Sequence, residues 1–198
     1  MKIAFDFDDV LVDFVGCYLD ALETETGRHY DRKDISLDGW DMSTWANGVL
    51  GLGQENPMAW LEWMRPCVGL WETAKTTPGA LPALWALERA GHELEIVTNK
   101  PRWAYSVVWS WLNRTDAPFS TVRILNGFSK EEASDADVLV DDRPSTVRAW
   151  NASRPGRIGI LYARRQNEQD RKGLYVAQDM QDVVHAIERE REALLRGK

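Results

Sequence analysis

Short apolar segments that end in polar side chains alternate with helical patterns along most of this chain. The apolar segments are residues 2–8, 93–98, 121–125, 137–140 and 157–162. The helical patterns cover residues 14–26, 78–90, 102–112 and 144–150, and a last helix capped by Asp179 and running to about residue 195. Strands that alternate with helices build a parallel sheet with helices on both faces. We therefore predict an α/β, Rossmann-like fold.

Residues 15–76 interrupt this alternation. They contain short helical pieces, such as 57–64, and five tryptophans: Trp40, Trp45, Trp60, Trp63 and Trp71. We interpret this segment as a small, mainly helical, Trp-rich subdomain inserted after the first strand, while residues 1–14 and 77–198 form the α/β core. A small subdomain needs large apolar residues for a core of its own, so most of these tryptophans are expected to be buried there.

Charge and hydropathy exclude several classes of partner. The chain has 198 residues and a net charge of −7, which disfavours binding to a long nucleic acid, because that interaction requires a basic face. No apolar stretch is long enough to span a membrane, and the first residues lack the apolar run of a signal peptide, so a cytoplasmic location is expected. Cys17 and Cys67 lack a C-x-x-C spacing, so we expect neither a disulfide framework nor structural zinc.

Polar residues follow four of the predicted strands. They are Asp6 and Asp8, then Thr98 and Asn99, then the segment leading to Lys130, and finally Asp141 and Asp142. The carboxyl ends of parallel strands meet at one edge of the sheet, and carboxylates crowded there need a cation among them. Mg²⁺ binds carboxylate oxygens and also holds phosphate, and Lys130 and Thr98 would complete a phosphate pocket. The pattern predicts phosphoryl transfer.

These residues resemble the motifs of a known superfamily. Asp6-Phe7-Asp8-Asp9-Val10, Thr98, Lys130 and Asp141-Asp142 are similar, in order and in strand placement, to the four motifs of haloacid dehalogenase (HAD) phosphatases. Three flanking segments, DFDDVLVDF at 6–14, PGA at 78–80 and VLVDDRP at 138–144, resemble the 5′(3′)-deoxyribonucleotidases. The resemblance covers about residues 2–150. It implies a HAD fold whose inserted segment is a cap that closes over the site.

The resemblance also implies catalytic and metal-binding roles. Asp6 would be the nucleophile that forms an aspartyl-phosphate, and Asp8 the general acid that protonates the leaving alkoxide and then activates water. The side chains of Asp6 and Asp141 and the main-chain carbonyl of Asp8 would bind Mg²⁺. Asp142 would support the ion indirectly, either through a water molecule or by contacting the residues that bind the ion.

Phosphate and substrate contacts follow from the same resemblance. Thr98, Asn99 and Lys130 would bind the phosphoryl oxygens, and Trp71 is the cap aromatic expected near the substrate. Each residue also has a plainer interpretation: Thr98 could simply end a strand, Lys130 could be a solvated lysine at a helix start, and Trp71 could belong to the cap core. Lys100 is read equally well as a phosphate or sugar contact and as part of a solvated helix start.

Two features depart from the nucleotidase pattern. Asp9 stands where those enzymes usually carry glycine, which adds a carboxylate beside the site. The loop at 126–129 differs in sequence from its nucleotidase counterpart and is slightly longer, which affects the expected recognition of the base.

The sequence thus predicts a magnesium-dependent phosphomonoesterase similar to a 5′(3′)-deoxyribonucleotidase, acting on nucleoside monophosphates. A phosphatase for a sugar phosphate or a polynucleotide end is an alternative. A catalytically idle nucleotide-binding module is another, although a sensor has no need for both Asp6 and Asp8. Nucleotidases of this kind are often dimers, so a homodimer is expected from the resemblance, although no segment identifies an interface.

Overall fold

One parallel sheet organises the protein. The computed structural model describes residues 1–36 and 42–196, so Trp40 lies outside the described residues. The strands in these residues are β1 (Lys2–Phe5), β2 (Glu93–Asn99), β3 (Thr121–Leu125), β4 (Val138–Asp141), β5 (Ile158–Tyr162) and β6 (Tyr175–Ala177). They are ordered β3-β2-β1-β4-β5-β6, and all neighbouring pairs are parallel. The strand order reverses direction between β1 and β4, which is where such sheets bind ligands.

Helices cover both faces of the sheet. They are α1 (Phe14–Thr26), α2 (Ser43–Val49), α3 (Ala59–Trp63), α4 (Val68–Glu72), α5 (Ala80–Arg89), α6 (Tyr105–Thr115), α7 (Lys130–Ala133), α8 (Pro144–Ser153) and α9 (Met180–Arg196). Short 3₁₀ helices occupy Arg32–Asp34, Arg65–Cys67, Arg102–Ala104 and Arg165–Asp170. Within the described ranges, none of the helices combines the length and the apolar character needed to cross a membrane.

Alternating side chains of the strands build two apolar clusters. Ile3 and Phe5 of β1 point to the face covered by α5, α6 and α9. Ala4, between them, belongs to the opposite cluster with Leu139 of β4 and Trp150 of α8. This two-sided burial explains why the strands are almost continuously apolar, and it confirms the predicted α/β architecture.

The inserted segment has an apolar cluster of its own. Its described parts, 15–36 and 42–76, contain helices and turns, and Tyr18, Leu22 and Met64 are fully buried in a cluster against which Trp45 and Trp63 pack. Trp60 packs against the same cluster, so three of the tryptophans predicted for the cap core contact it, each only partly buried. The proposed boundaries of the cap, at 14/15 and 76/77, stay a prediction.

Several predicted boundaries need correction. β1 ends at Phe5 rather than Asp8, because the chain turns back so that the Leu11 and Val12 amides both donate to the Phe7 carbonyl. α5 begins at Ala80 rather than at Pro78, since Gly79 has a positive φ of 77° that interrupts helical geometry. The edge strand β6, only three residues long, was not predicted. Asp179 does cap α9, accepting a hydrogen bond of 2.9 Å from the Asp182 amide.

Gly159 allows α8 to lie close to β5. A Cβ atom there would be 2.8 Å from Val147 Cγ1 and 2.9 Å from the Val147 carbonyl oxygen. We expect Gly159→Ala to lower the free energy of unfolding by about 1–3 kcal/mol, because backbone atoms of α8 would have to shift. Thermal or urea unfolding measures this change. Gly48→Ala is the matched control, since Gly48 lies in α2 with nothing within 4 Å of its Cβ position. This variant should not lower the free energy of unfolding. An equal decrease in both variants would contradict the close packing of α8 on Gly159.

Candidate active site

Asp6 and Asp141 lie side by side at the ends of β1 and β4. The pairing of the two strands continues through Asp6, whose amide donates to the Val140 carbonyl at 2.9 Å. Lys130, at the start of α7, lies between the two carboxylates, and its Nζ is 2.7 Å from Asp6 Oδ1 and 2.7 Å from Asp141 Oδ2. Burial lowers the pKa of Lys130, but the two carboxylates have the larger combined effect and raise this pKa above its usual range. The predicted nucleophile, metal ligand and phosphate-binding lysine are thus in one cluster.

Further carboxylates surround this pair. One oxygen from each of Asp6, Asp141 and Asp142 lies within 4.8 Å of the others. Burial and the neighbouring charges of Asp9, Asp141 and Asp6 raise the pKa of Asp142 well above its ordinary value. Burial likewise raises the pKa of Asp9 to about 7, against the opposing charge of Arg164. The carboxylates therefore have an excess of negative charge that a bound cation would offset.

The carboxylate of Asp8 is held by two donors, one on each oxygen. The Trp71 indole N–H donates to Oδ1 at 2.9 Å, and Lys100 Nζ donates to Oδ2 at 2.6 Å. Burial raises the pKa of Asp8, while the charge of Lys100 opposes this shift. Both oxygens of the Asp8 carboxylate thus already accept a hydrogen bond, and the predicted metal ligand from Asp8 is its main-chain carbonyl, not this carboxylate.

Thr98 and Asn99 differ in what their side chains contact. The Thr98 hydroxyl is buried at the end of β2 and has no hydrogen-bond partner among the described residues, although Thr98 lines the cavity described below. The Asn99 side chain is instead occupied by the loop before Lys130: its Nδ2 donates to the Phe128 carbonyl, and its Oδ1 accepts from the Gly127 amide, both at 3.0 Å. The hydroxyl of Thr98 is therefore available to a phosphoryl oxygen, whereas the amide of Asn99 positions a loop.

A cavity of about 310 Å³ opens above these residues. Its lining combines five aspartates, Lys130 and Arg143 with several apolar side chains. The cavity is lined by Asp6, Asp8, Asp9, Phe14, Met58, Trp60, Leu61, Trp71, Thr98, Asn99, Pro101, Lys130, Asp141, Asp142, Arg143 and Thr146. Every predicted site residue is thus part of one cavity between the sheet and the inserted segment, and its volume suits a small organic molecule.

Two cap tryptophans line this cavity in different ways. Trp71 is 2% exposed and packs against Phe14 with ring centroids 4.6 Å apart. Its indole N–H donates to Asp8. Trp60 is only partly buried, and its backbone amide is fixed by Asn47 Oδ1 at 2.9 Å. Trp71 thus contacts the site chiefly through Asp8, whereas Trp60 is the less buried of the two rings.

Asp9 departs from the nucleotidase pattern and occupies an unusual backbone conformation. Its φ is 53°, a left-handed value for which glycine is the usual residue. The conformation is stabilised on both sides, since Arg164 Nε donates to the Asp9 carbonyl at 2.5 Å and the Val15 amide donates to its carboxylate at 3.2 Å. The structure thus shows how an aspartate is accommodated where glycine would be expected.

Two basic residues near the site were not predicted to have their observed contacts. Lys100 is 2% exposed and bonded to Asp8, although the sequence Asn99-Lys100-Pro101 reads as a strand end and an exposed helix start. Arg164 reaches Asp9 and the Thr77 hydroxyl from a segment that the sequence identifies only as polar. Position beside a motif was the only available signal for Lys100, and no local pattern indicates Arg164.

Comparison with known families agrees with the geometry. The model of the family described as 5′ nucleotidase, deoxy (pyrimidine), cytosolic type C protein matches residues 1–193. A search of curated proteins found no matching sequence.

Solved structures with the same fold are HAD-superfamily proteins or phosphatases. A predicted phosphatase from Clostridium acetobutylicum is 15% identical, with 94% of this chain and 97% of the other covered and a TM-score of 0.64. The HAD-hydrolase YfnB from Bacillus subtilis, bound to magnesium, is 13% identical. The match covers 93% of this chain and 97% of YfnB, with a TM-score of 0.62. CbbY from Rhodobacter sphaeroides, bound to xylulose-(1,5)bisphosphate, is 14% identical. The match covers 90% of this chain and 94% of CbbY, with a TM-score of 0.59. At these identities the likeness concerns the fold.

Proposed function

The chain belongs to the 5′ nucleotidase, deoxy (pyrimidine), cytosolic type C family, and from this premise we propose that it is a magnesium-dependent phosphomonoesterase that acts on (deoxy)nucleoside monophosphates through an aspartyl-phosphate. The observation that carries the proposal is the grouping of Asp6, Asp141 and Lys130, with both Nζ–Oδ distances at 2.7 Å, on the wall of a ligand-sized cavity. This grouping supports a role for Asp6 as the nucleophile and for Lys130 as the positive charge that binds the phosphoryl group.

Asp6 and Asp8 divide the chemistry between them. A carboxylate oxygen of Asp6 attacks phosphorus, the P–O ester bond breaks, and Asp8 gives its proton to the departing alkoxide. Water then attacks the phosphorus of the aspartyl-phosphate while Asp8 takes a proton from it, which releases inorganic phosphate and restores Asp6. Burial raises the pKa of Asp8, and this is the direction that favours the protonated form from which a general acid acts.

The donor set fits a magnesium ion. Asp6, Asp141 and Asp142 offer hard carboxylate oxygens within 4.8 Å of one another, which is the chemistry that Mg²⁺ prefers. We propose that Asp6 and Asp141 hold the ion together with the Asp8 carbonyl, and that Asp142 supports it. When bound, the ion supplies positive charge that offsets the carboxylates and the phosphoryl oxygens. A dianionic substrate could not otherwise approach five aspartates.

Thr98 and Lys130 are proposed to bind the phosphoryl oxygens. The Thr98 hydroxyl is a buried donor at the cavity that has no hydrogen-bond partner among the described residues, and Lys130 contributes a fixed charge beside the proposed nucleophile. Asn99 was predicted as a third phosphate ligand, and its side-chain contacts with residues 127 and 128 support an indirect role instead. Asn99 would set the position of the loop that delivers Lys130.

The apolar lining of the cavity supports a nucleoside as the leaving group. Phe14, Met58, Trp60 and Leu61 line the same cavity as the aspartates, so a substrate that carries both a phosphate and an aromatic base matches both kinds of lining residue. Stacking of a base on an aromatic side chain contributes about 1–3 kcal/mol. A sugar phosphate would leave these apolar side chains without a partner, which is why it is the second choice of substrate.

Phosphate release from a substrate panel tests the proposal. We expect deoxynucleoside monophosphates to be hydrolysed faster than sugar phosphates or a 3′-phosphorylated oligonucleotide, and chelation to reduce the rate by at least about 100-fold until Mg²⁺ is restored. Preferential hydrolysis of sugar phosphates would support the proposed phosphatase reaction but contradict a nucleoside monophosphate as the substrate. Turnover that is unchanged by chelator would contradict the metal, and absence of release from the whole panel would favour a nucleotide-binding module.

Two expectations from the sequence are carried forward as part of the proposal. A cytoplasmic location is supported by the description of the family as cytosolic. A homodimer is still proposed from the resemblance, and it is tested by the molar mass in solution.

A further inference from the structure

Lys100 is a buried cation whose ammonium group contacts Asp8 and two aromatic rings among the described residues. Its side chain has no exposed surface, and its Nζ is 2.6 Å from Asp8 Oδ2. The same Nζ lies 3.9 Å from the centroid of the Trp71 ring and 4.8 Å from that of Phe7. Lys100 is therefore enclosed by one carboxylate and two aromatic faces, which attract a cation through their π electrons.

The position of Lys100 indicates that it acts through Asp8. Lys100 is absent from the described residues that line the cavity, whereas its neighbours Asn99 and Pro101 and the Asp8 carboxylate itself are among them. A substrate in the cavity would thus meet Asp8 first, with Lys100 behind it. This arrangement separates Lys100 from Lys130, which lines the cavity and contacts the nucleophile.

The two donors to Asp8 come from different parts of the protein. Lys100 follows β2 in the α/β core, whereas Trp71 lies in α4 of the inserted segment. Because each donor binds a different oxygen, together they fix the plane of the carboxylate, which one donor alone could not do. The Trp71 ring also contacts Lys100, so the three side chains form one unit.

Stability alone does not account for this lysine. Removing an ammonium group from water costs several kcal/mol, and an apolar side chain of similar volume often serves a protein core equally well. A buried lysine that faces the general acid therefore has a geometric use.

We infer that Lys100 is a positioning residue, which holds the Asp8 carboxylate in the orientation needed to give its proton to the leaving oxygen. The inference rests on the proposed function, because it assigns Lys100 to the step in which the P–O ester bond breaks and the proton of Asp8 passes to the alkoxide. Its effect should depend on how strongly the leaving group needs that proton.

Lys100→Met removes the charge and keeps the side-chain volume, and its effect is measured across phosphate monoesters of different leaving groups. We expect release of a nucleoside, a poor leaving group, to slow by about 10- to 100-fold in single-turnover measurements, because misplaced acid groups lose this much rate. Release of 4-nitrophenol, which departs without a proton, should slow by less than about 3-fold. KM should change little, since Lys100 does not line the cavity.

Two further variants complete the test. Lys33→Met makes the same change at a lysine that is 76% exposed, and it should leave all rates unchanged. Lys100→Arg keeps the charge and should restore a dependence on the leaving group close to that of the unaltered protein. Should Lys100→Met not fold, Lys100→Gln takes its place in the same measurements.

The outcomes separate this inference from the proposed function. Hydrolysis of monoesters by the unaltered protein establishes the function independently of Lys100. Equal slowing of both leaving groups, or rates equal to those of Lys33→Met, would overturn the positioning role and leave the function intact. Absence of hydrolysis by the unaltered protein would overturn both.

Discussion

Replacing Asp6 by asparagine is expected to reduce phosphate release by about four orders of magnitude or more, because the variant lacks the proposed nucleophile. An amide oxygen is a far weaker nucleophile than a carboxylate, and within residues 1–36 and 42–196 no other carboxylate has the contacts of Asp6 with both Lys130 and the Phe7 amide. The measurement is single-turnover release of phosphate from a nucleoside monophosphate with Mg²⁺ present.

The same variant should remain folded. Asparagine keeps the shape of the side chain and can still accept from the Phe7 amide, and Lys130 retains its ion pair with Asp141 at 2.7 Å. Loss of one negative charge also relieves repulsion within the aspartate cluster, so the free energy of unfolding should change by less than about 1 kcal/mol. Binding of the nucleotide, followed by calorimetry, should persist.

Asp116→Asn is the matched control for this change. Asp116 is exposed at the end of α6 in a left-handed conformation that asparagine also adopts, so activity and stability should be unchanged. Activity of Asp6→Asn within about 10-fold of the unaltered protein would exclude an aspartyl-phosphate on Asp6. Nucleotide binding by a chain whose unaltered form has no turnover would instead support the idle binding module.

The sequence predicted the parts of the site that depend on strand order. Asp6, Thr98 and Asp141 each follow an apolar run, and the carboxyl ends of parallel strands must meet at one edge of a sheet. Their proximity therefore follows from secondary structure alone. The helical ends were similarly readable where a side chain caps the helix, as Asp179 does for α9.

Contacts made by side chains across long separations could not be predicted in this way. Asn99 has the residue type of a phosphate ligand, but the loop 28 residues later occupies both of its polar groups. Trp71 was expected beside the substrate as an aromatic surface, whereas its N–H reaches Asp8 across 63 residues. Each depends on where the loop and the inserted segment come to rest, which periodicity does not encode.

Backbone conformation was a second source of error. The left-handed φ of Gly79 delays α5 by two residues, and the turn that follows Phe5 ends β1 before its apolar run is complete. Both deviations occur beside the site, where the chain must leave regular structure to present side chains. Local propensity favours the longer elements, so the tertiary requirement decides these boundaries.

Replacing Lys130 by methionine is expected to have the second largest effect, with turnover reduced by about 1,000-fold, since the charge aligned with both Asp6 and the phosphoryl group is lost. Methionine matches the length of the lysine stem, and Lys130 is only 6% exposed, so the change removes the charge without a large cavity. Turnover is measured with saturating Mg²⁺ and substrate.

The loss of Lys130 should also change how Mg²⁺ affects stability. Without a metal, Asp6 and Asp141 would face each other with no cation between them, and removing one partner of a buried ion pair costs about 3–5 kcal/mol. Mg²⁺ bound at the proposed site would replace the missing charge, so adding Mg²⁺ should raise the melting temperature of Lys130→Met by more than that of the unaltered protein. Lys33→Met again provides the control, with no change in either quantity. If Mg²⁺ raises the melting temperature of all three proteins equally, the ion does not bind between these carboxylates. Turnover of Lys130→Met within about 3-fold of that of the unaltered protein would show that Lys130 has no role in the reaction.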